Sequence, residues 1–86
     1  MKYHVRWSRT AEDELTRLWL NASDRAVVTA AAQEIDDRLA ANAKNEGESR
    51  TAGLRILMCA PLAVVYQVSP RTYDVDVARV WRFRTG

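Results

Sequence analysis

Near the end of the chain, Arg79, Arg82 and Arg84 alternate with Trp81 and Phe83. Guanidinium groups take phosphate oxygens two at a time and aromatic rings stack on bases, so this pattern fits a nucleic-acid footprint. It also fits a basic chain end whose aromatics pack into a core. Arg55 is expected on a neighbouring strand and Arg50 in the loop before it. His4 is the only histidine and is the one side chain whose ordinary titration range suits general acid–base work, although a lone strand histidine is as a rule plain surface. Tyr66 and Tyr73 could hold a phosphate oxygen or fill core and rim positions. Asp74 and Asp76 share a strand face about 7 Å apart, and two carboxylates without a third ligand make a poor metal site. Cys59 follows an apolar strand without a nearby histidine and reads as a buried, inert thiol. The sequence has no P-loop, glycine-rich dinucleotide turn, zinc spacing or serine–histidine–acid set. Spacing alone therefore identifies no enzyme and implies no metal and no small-molecule cofactor.

These side chains must be positioned by 86 residues, room for one domain spanning 1–86. A hydrophobic share of 48% supports a core and a charged share of 28% argues against disorder. One cysteine cannot form an internal disulfide, which favours a reducing, cytoplasmic setting. No run has the length or apolarity of a signal peptide or a membrane span. The net charge of +2 is unevenly distributed. Residues 1–9 carry three cations and no acid, residues 10–46 carry eight acids against four cations, and residues 47–86 carry six arginines against three acids.

Tyr3, Val5 and Trp7 alternate with Lys2, His4 and Arg6, the period of a half-buried strand. Ser8 or Thr10 can cap a following helix with the apolar stripe Ala11, Leu15, Leu18, Trp19 and Ala22. Ser23 and Asp24 read as the start of a second helix, with the stripe Val28, Ala31, Ala32, Ile35 and Leu39; so short a connection favours an antiparallel hairpin. Residues 42–53 read as an exposed loop. Residues 54–58 place Leu54, Ile56 and Met58 on one strand face and Arg55 and Leu57 on the other. Residues 63–68 are apolar on both faces, as a central strand would be. A final strand from Tyr73 to about Phe83 changes its apolar phase near Arg79, where a bulge or a face switch is expected. The expected class is α+β, ordered β-α-α-β-β-β, a small, mainly antiparallel sheet with a helical hairpin on one face. Positive charge then belongs to the sheet and negative charge to the hairpin.

Three stretches carry a family resemblance. They are Val5-Arg6-Trp7-Ser8-Arg9-Thr10-Ala11-Glu12-Asp13-Glu14-Leu15, then Gly53-Leu54-Arg55 followed by Val64-Val65-Tyr66-Gln67-Val68, and last Val75-Asp76-Val77-Ala78-Arg79-Val80-Trp81-Arg82. In order and spacing the chain resembles the RelE/ParE superfamily of bacterial type II toxin–antitoxin systems. The resemblance implies a cytoplasmic toxin, of the plasmid-stabilisation kind, that inhibits growth and is neutralised by a cognate antitoxin protein. It implies a target in gyrase or in the ribosome with its messenger RNA, and no membrane partner. It carries Arg55, Arg79, Arg82 and Arg84 over as basic site residues; Trp81, interleaved with them, is expected as a target contact from the stacking pattern alone. In a ribosome-dependent endonuclease, Arg55, Arg79 and Arg82 would stabilise charge, and His4 or Tyr66 would carry protons. The nuclease branch has an arginine just before its Val-Tyr-Gln-Val strand, where this chain has Ala63, and a late tyrosine in a tail beyond the position of Gly86. The expectation is therefore a toxin that binds rather than cuts, with an endonuclease of reduced catalytic set and a non-toxic interaction module as the alternatives.

Overall fold

The computed structural model describes residues 2–50 and 53–84. Strand β1 (His4–Trp7) leads into α1 (Arg9–Asn21) and α2 (Arg25–Asn42), followed by β2 (Glu48–Ser49), β3 (Leu54–Cys59), β4 (Leu62–Ser69) and β5 (Asp74–Arg82). The sheet order is β1-β5-β4-β3-β2. All neighbours are antiparallel except β1 and β5, which run parallel from His4↔Asp74 to Trp7↔Val77. The α+β class and the hairpin on one face are as the hydrophobic periods indicate. The loop expected over 42–53 is not wholly irregular, because Glu48 and Ser49 pair with Ile56 and Arg55. The Arg50 amide donates to the Leu54 carbonyl at 2.7 Å and closes that hairpin. Two polar residues show no alternation, so this fifth strand had no periodic signal.

Ser8, rather than Thr10, caps α1. Its hydroxyl accepts from the Ala11 amide at 3.0 Å and donates to the Ala78 carbonyl at 2.9 Å, while its own amide donates to the Val77 carbonyl. One residue thus starts the helix and ties it to β5. At the other end Arg25 donates to the Trp19 and Leu20 carbonyls and lies over the Trp19 ring, 4.7 Å from its centroid. A cation is well placed against the free carbonyls of a helix C-terminus.

The core lies between α2 and the sheet. Val28, Ala31, Ile35 and Leu39 of α2 are buried against Leu57, Leu62, Val64, Tyr66, Val75, Val77 and Val80. In α1 only Ala11 is fully buried; Leu15 and Leu18 are half-buried, as is Ala22 just past its end, and Trp19 is exposed. This helix packs on β5 beyond the end of β1, and its stripe is the less buried of the two. In β3 the faces divide as the alternation indicates, but burial runs against hydrophobicity. Leu57 and Cys59 are buried on the helix side with Arg55, and Met58 is 56% exposed on the other face with Leu54 and Ile56.

Gly47 has a positive φ of 64°. A Cβ there would also run into the Ile56 carbonyl. Gly47→Ala is therefore expected to cost about 2 kcal/mol or more, from left-handed strain plus displacement of a strand backbone. A urea melt should show a lower midpoint with an unchanged slope.

Candidate functional site

The β5 bulge decides where the arginines go. Val65 pairs with Arg79 and Tyr66 with Val77, so Ala78 is the extra residue. Because strand side chains alternate, one inserted residue reverses the faces beyond it. Val75 and Val77 face the helices before the bulge, and Val80 and Arg82 face them after it. Asp74, Asp76, Arg79 and Trp81 thereby share the open face.

Cross-strand register lays out that open face. Met58, Ala63 and Trp81 form one row; Glu48, Ile56, Val65 and Arg79 form the next; Leu54, Gln67, Asp76 and Arg6 form a third. Its centre is apolar and its charges stand at the edges. Arg6 pairs with Asp76 at 3.3 Å, and Arg50, beside this face, pairs with Glu48 at 3.3 Å. His4 is exposed on the edge strand opposite Asp74.

The expected division into a basic sheet and an acidic hairpin becomes a set of ion pairs. Arg79 places Nε 2.8 Å and a terminal nitrogen 2.6 Å from Glu14 Oε2, while Glu14 Oε1 accepts the Val80 amide at 3.1 Å. Arg82 grips Asp24 through two parallel hydrogen bonds of 3.0 and 2.8 Å. Asp24 occupies the N-cap position of α2 without a side-chain capping bond, because its carboxylate is engaged with Arg82. The Arg79 hydrogen bond holds the Glu14 carboxyl below the ordinary carboxylate range, and Arg82 does the same for Asp24. Arg84 is exposed and has no acidic partner within 4.0 Å among the described residues. Between α1, the hairpin turn and the β5 end lies an open cleft of about 490 Å³ lined by Glu14, Arg17, Asp24, Val80, Trp81 and Arg82.

Arg55 and Tyr66 are elsewhere. Arg55 donates to the Glu46 carbonyl at 2.8 Å and the Gly47 carbonyl at 3.1 Å. Its cross-strand neighbour Tyr66 is fully buried, with its hydroxyl 2.6 Å from the Glu46 carbonyl and 3.0 Å from that of Ala43. Burial pushes the Tyr66 phenol above its ordinary value. The Glu46 side chain accepts from Arg38 at 2.8 and 3.2 Å. These groups tie the α2–β2 connection to the sheet. Arg55, expected beside the late arginines, is thus turned to the helix side, and Tyr66 has no path to a ligand on the open face. Cys59 donates to Glu34 at 2.7 Å, and burial first, then Glu34, pushes its thiol up to about 11.

The described residues contain no group of three or more His, Cys, Asp or Glu side chains arranged to hold a metal ion. No helix among them is long and apolar enough to cross a membrane. No local sequence signal marks Glu14 and Asp24, which hold the two arginines. The charge segregation signalled such partners, but separations of 65 and 58 residues hid which acid meets which arginine.

A depressed carboxyl stabilises the fold above its unfolded pKa, and that contribution is lost as pH falls through the folded value. Glu14 and Asp24 both have this sign. The chain is therefore expected to lose stability from about pH 5 downward. Glu14→Gln should melt lower than the unchanged chain at pH 7, and the gap should be smaller at about pH 3, because the carboxylate's contribution is lost as pH falls through its lowered folded value. Thermal melts at both pH values check this.

No protein-family model and no curated protein matches the sequence. Solved structures do match. A chain of the Mycobacterium tuberculosis RelBE2 toxin–antitoxin complex superposes with a TM-score of 0.78 at 19% identity, over 96% of this chain and 100% of that one. A mutant of Escherichia coli toxin RelE in the free state gives 0.70 at 20% identity, over 95% and 84%. A chain of the chromosomal ParDE toxin–antitoxin system of Pseudomonas aeruginosa gives 0.66 at 17% identity, over 96% and 98%. Along nearly its whole length, this chain has the fold shared by RelE- and ParE-type toxin–antitoxin proteins.

Proposed function

We propose that this chain is the toxin of a type II toxin–antitoxin pair, that it inhibits growth by engaging a nucleic-acid machine, and that a cognate antitoxin neutralises it. The end of β5 is the contact surface in this reading: Arg79 and Arg82 supply charge, Trp81 a stacking face and Arg84 an unpaired cation. The fold likeness supports the toxin role, since the matched chains come from RelBE and ParDE toxin–antitoxin systems. Binding is favoured over cutting by one observation above all, the apolar centre of the open face. Leu54, Ile56, Met58, Ala63 and Val65 offer neither a proton carrier nor a charge at the middle of the sheet. General acid–base cleavage of RNA needs both within hydrogen-bond reach of one phosphodiester.

Induced expression in a bacterium tests the reading. Growth should stop, and co-expression of the adjacent small reading frame should restore it. A gyrase supercoiling assay and primer extension on translated messages separate the two targets. Codon-positioned cuts in the messages would overturn the preference for binding, and unaffected growth at high expression would overturn the toxin reading.

A further inference from the structure

We propose that Glu14 and Asp24 act as resident anions at the β5 arginines, so that a phosphodiester backbone binds there by taking their place. This rests on the reading of the β5 end as the contact surface and concerns how that surface is regulated.

Asp24 meets Arg82 in the two-pronged geometry that a phosphate would adopt, and Glu14 receives two nitrogens of Arg79 on one oxygen. Both arginines are accessible, with side-chain exposures of 61% for Arg79 and 39% for Arg82. The acids are less open, Glu14 at 20% and Asp24 at 36%, so salt screens these pairs only in part, and a polyanion competes for them from the solvent side of the arginines. Each acid also has an alternative to its arginine. Glu14 keeps the Val80 amide, and Asp24, already at the N-cap position, can turn to the uncapped first turn of α2. Release of the arginines therefore leaves neither carboxylate stranded.

The cleft between the two pairs has the contents such an exchange needs. Arg17 lines it with no acidic partner within 4.0 Å among the described residues, and Trp81, 38% exposed, forms part of its wall. Once the arginines exchange partners, Arg17 and Arg82 border the cleft beside Trp81, and Arg79 stands next to it, released from the Glu14 of its wall. The acidic hairpin then sets the affinity of the arginines: tight enough to hold a polyanion of several phosphates, too weak to collect single ones.

The test is fluorescence anisotropy with two labelled probes, a 12-nucleotide single-stranded RNA and a 12-base-pair DNA duplex, titrated over 50–300 mM salt. The probe bound more tightly identifies the source of the phosphodiester. The Glu14→Gln/Asp24→Asn chain should bind about ten-fold more tightly at 0.1 M salt. Its salt dependence should steepen by about two phosphates' worth, since two more cations are free to displace counterions. Asp24→Asn alone, at an exposed position, should give about three-fold, and it keeps the question open to measurement where the double variant folds poorly. Arg79→Ala/Arg82→Ala should lose binding in either background. Should the carboxamide variants bind no more tightly while the arginine variant is weakened, the exchange is overturned and the contact surface stands. Should the arginine variant bind as well as the unchanged chain, or no form bind either probe, the contact surface and the exchange both fall.

Discussion

Tyr66→Ala is expected to lower the melting temperature by roughly 12–40 °C. The side chain is fully buried, and truncating a large aromatic in a core costs about 3–5 kcal/mol. At roughly 4–8 °C per kcal/mol for a domain of this size, that cost gives the expected shift. It is also a large fraction of the whole, because 86 residues support only about 4–13 kcal/mol. Tyr66→Phe separates packing from chemistry. It keeps the ring and removes only the hydroxyl, at a cost of about 1 kcal/mol. The Glu46 carbonyl retains Arg55 as a donor. The phenylalanine chain should therefore melt only a few degrees lower and inhibit growth as strongly as the unchanged chain. Loss of growth inhibition at unchanged stability would return Tyr66 to the site as a proton carrier.

Under the proposed toxin function, Arg79→Ala/Arg82→Ala should remove growth inhibition while the fold persists. Both side chains are surface groups whose ion pairs cross from β5 to the hairpin. Their loss leaves the core untouched and Glu14 still accepting from the Val80 amide. A melting temperature within about 5 °C of the unchanged chain is expected, since surface pairs contribute little. Growth curves after induction, with protein levels matched by immunoblot, read the functional effect. Full inhibition by the double variant would move the contact surface elsewhere, and Arg84 and the apolar open face would be the next places to look.

Much of the fold follows from local pattern. The hairpin stripe Val28, Ala31, Ile35 and Leu39 repeats at helical spacing, and all four residues are buried as that repeat indicates. The apolar run from Ala63 to Val68 marks a central strand, and β4 is the middle strand of the sheet. β3 shows where such reading stops. Leu54, Ile56 and Met58 form an apolar phase as strong as that of Leu57 and Cys59, and alternation alone cannot choose the buried one. The helices choose it, because α2 packs where Leu57 and Cys59 point, leaving Met58 in the open.

The late arginines follow the same division. Their types, their spacing and the interruption of phase near Arg79 were all set by the sequence alone, and the bulge falls where that interruption stands. The segregation of positive charge to the strands and negative charge to the hairpin was equally legible. Only the tertiary structure decided that these charges meet as Arg79–Glu14 and Arg82–Asp24, that Arg55 turns inward to hold the Glu46 and Gly47 carbonyls, and that Tyr66 closes the core. The physical reason is range. Helix and strand periods are local properties of consecutive residues. Partner choice across about sixty residues depends on where the parallel β1–β5 pairing and the β5 bulge place each side chain.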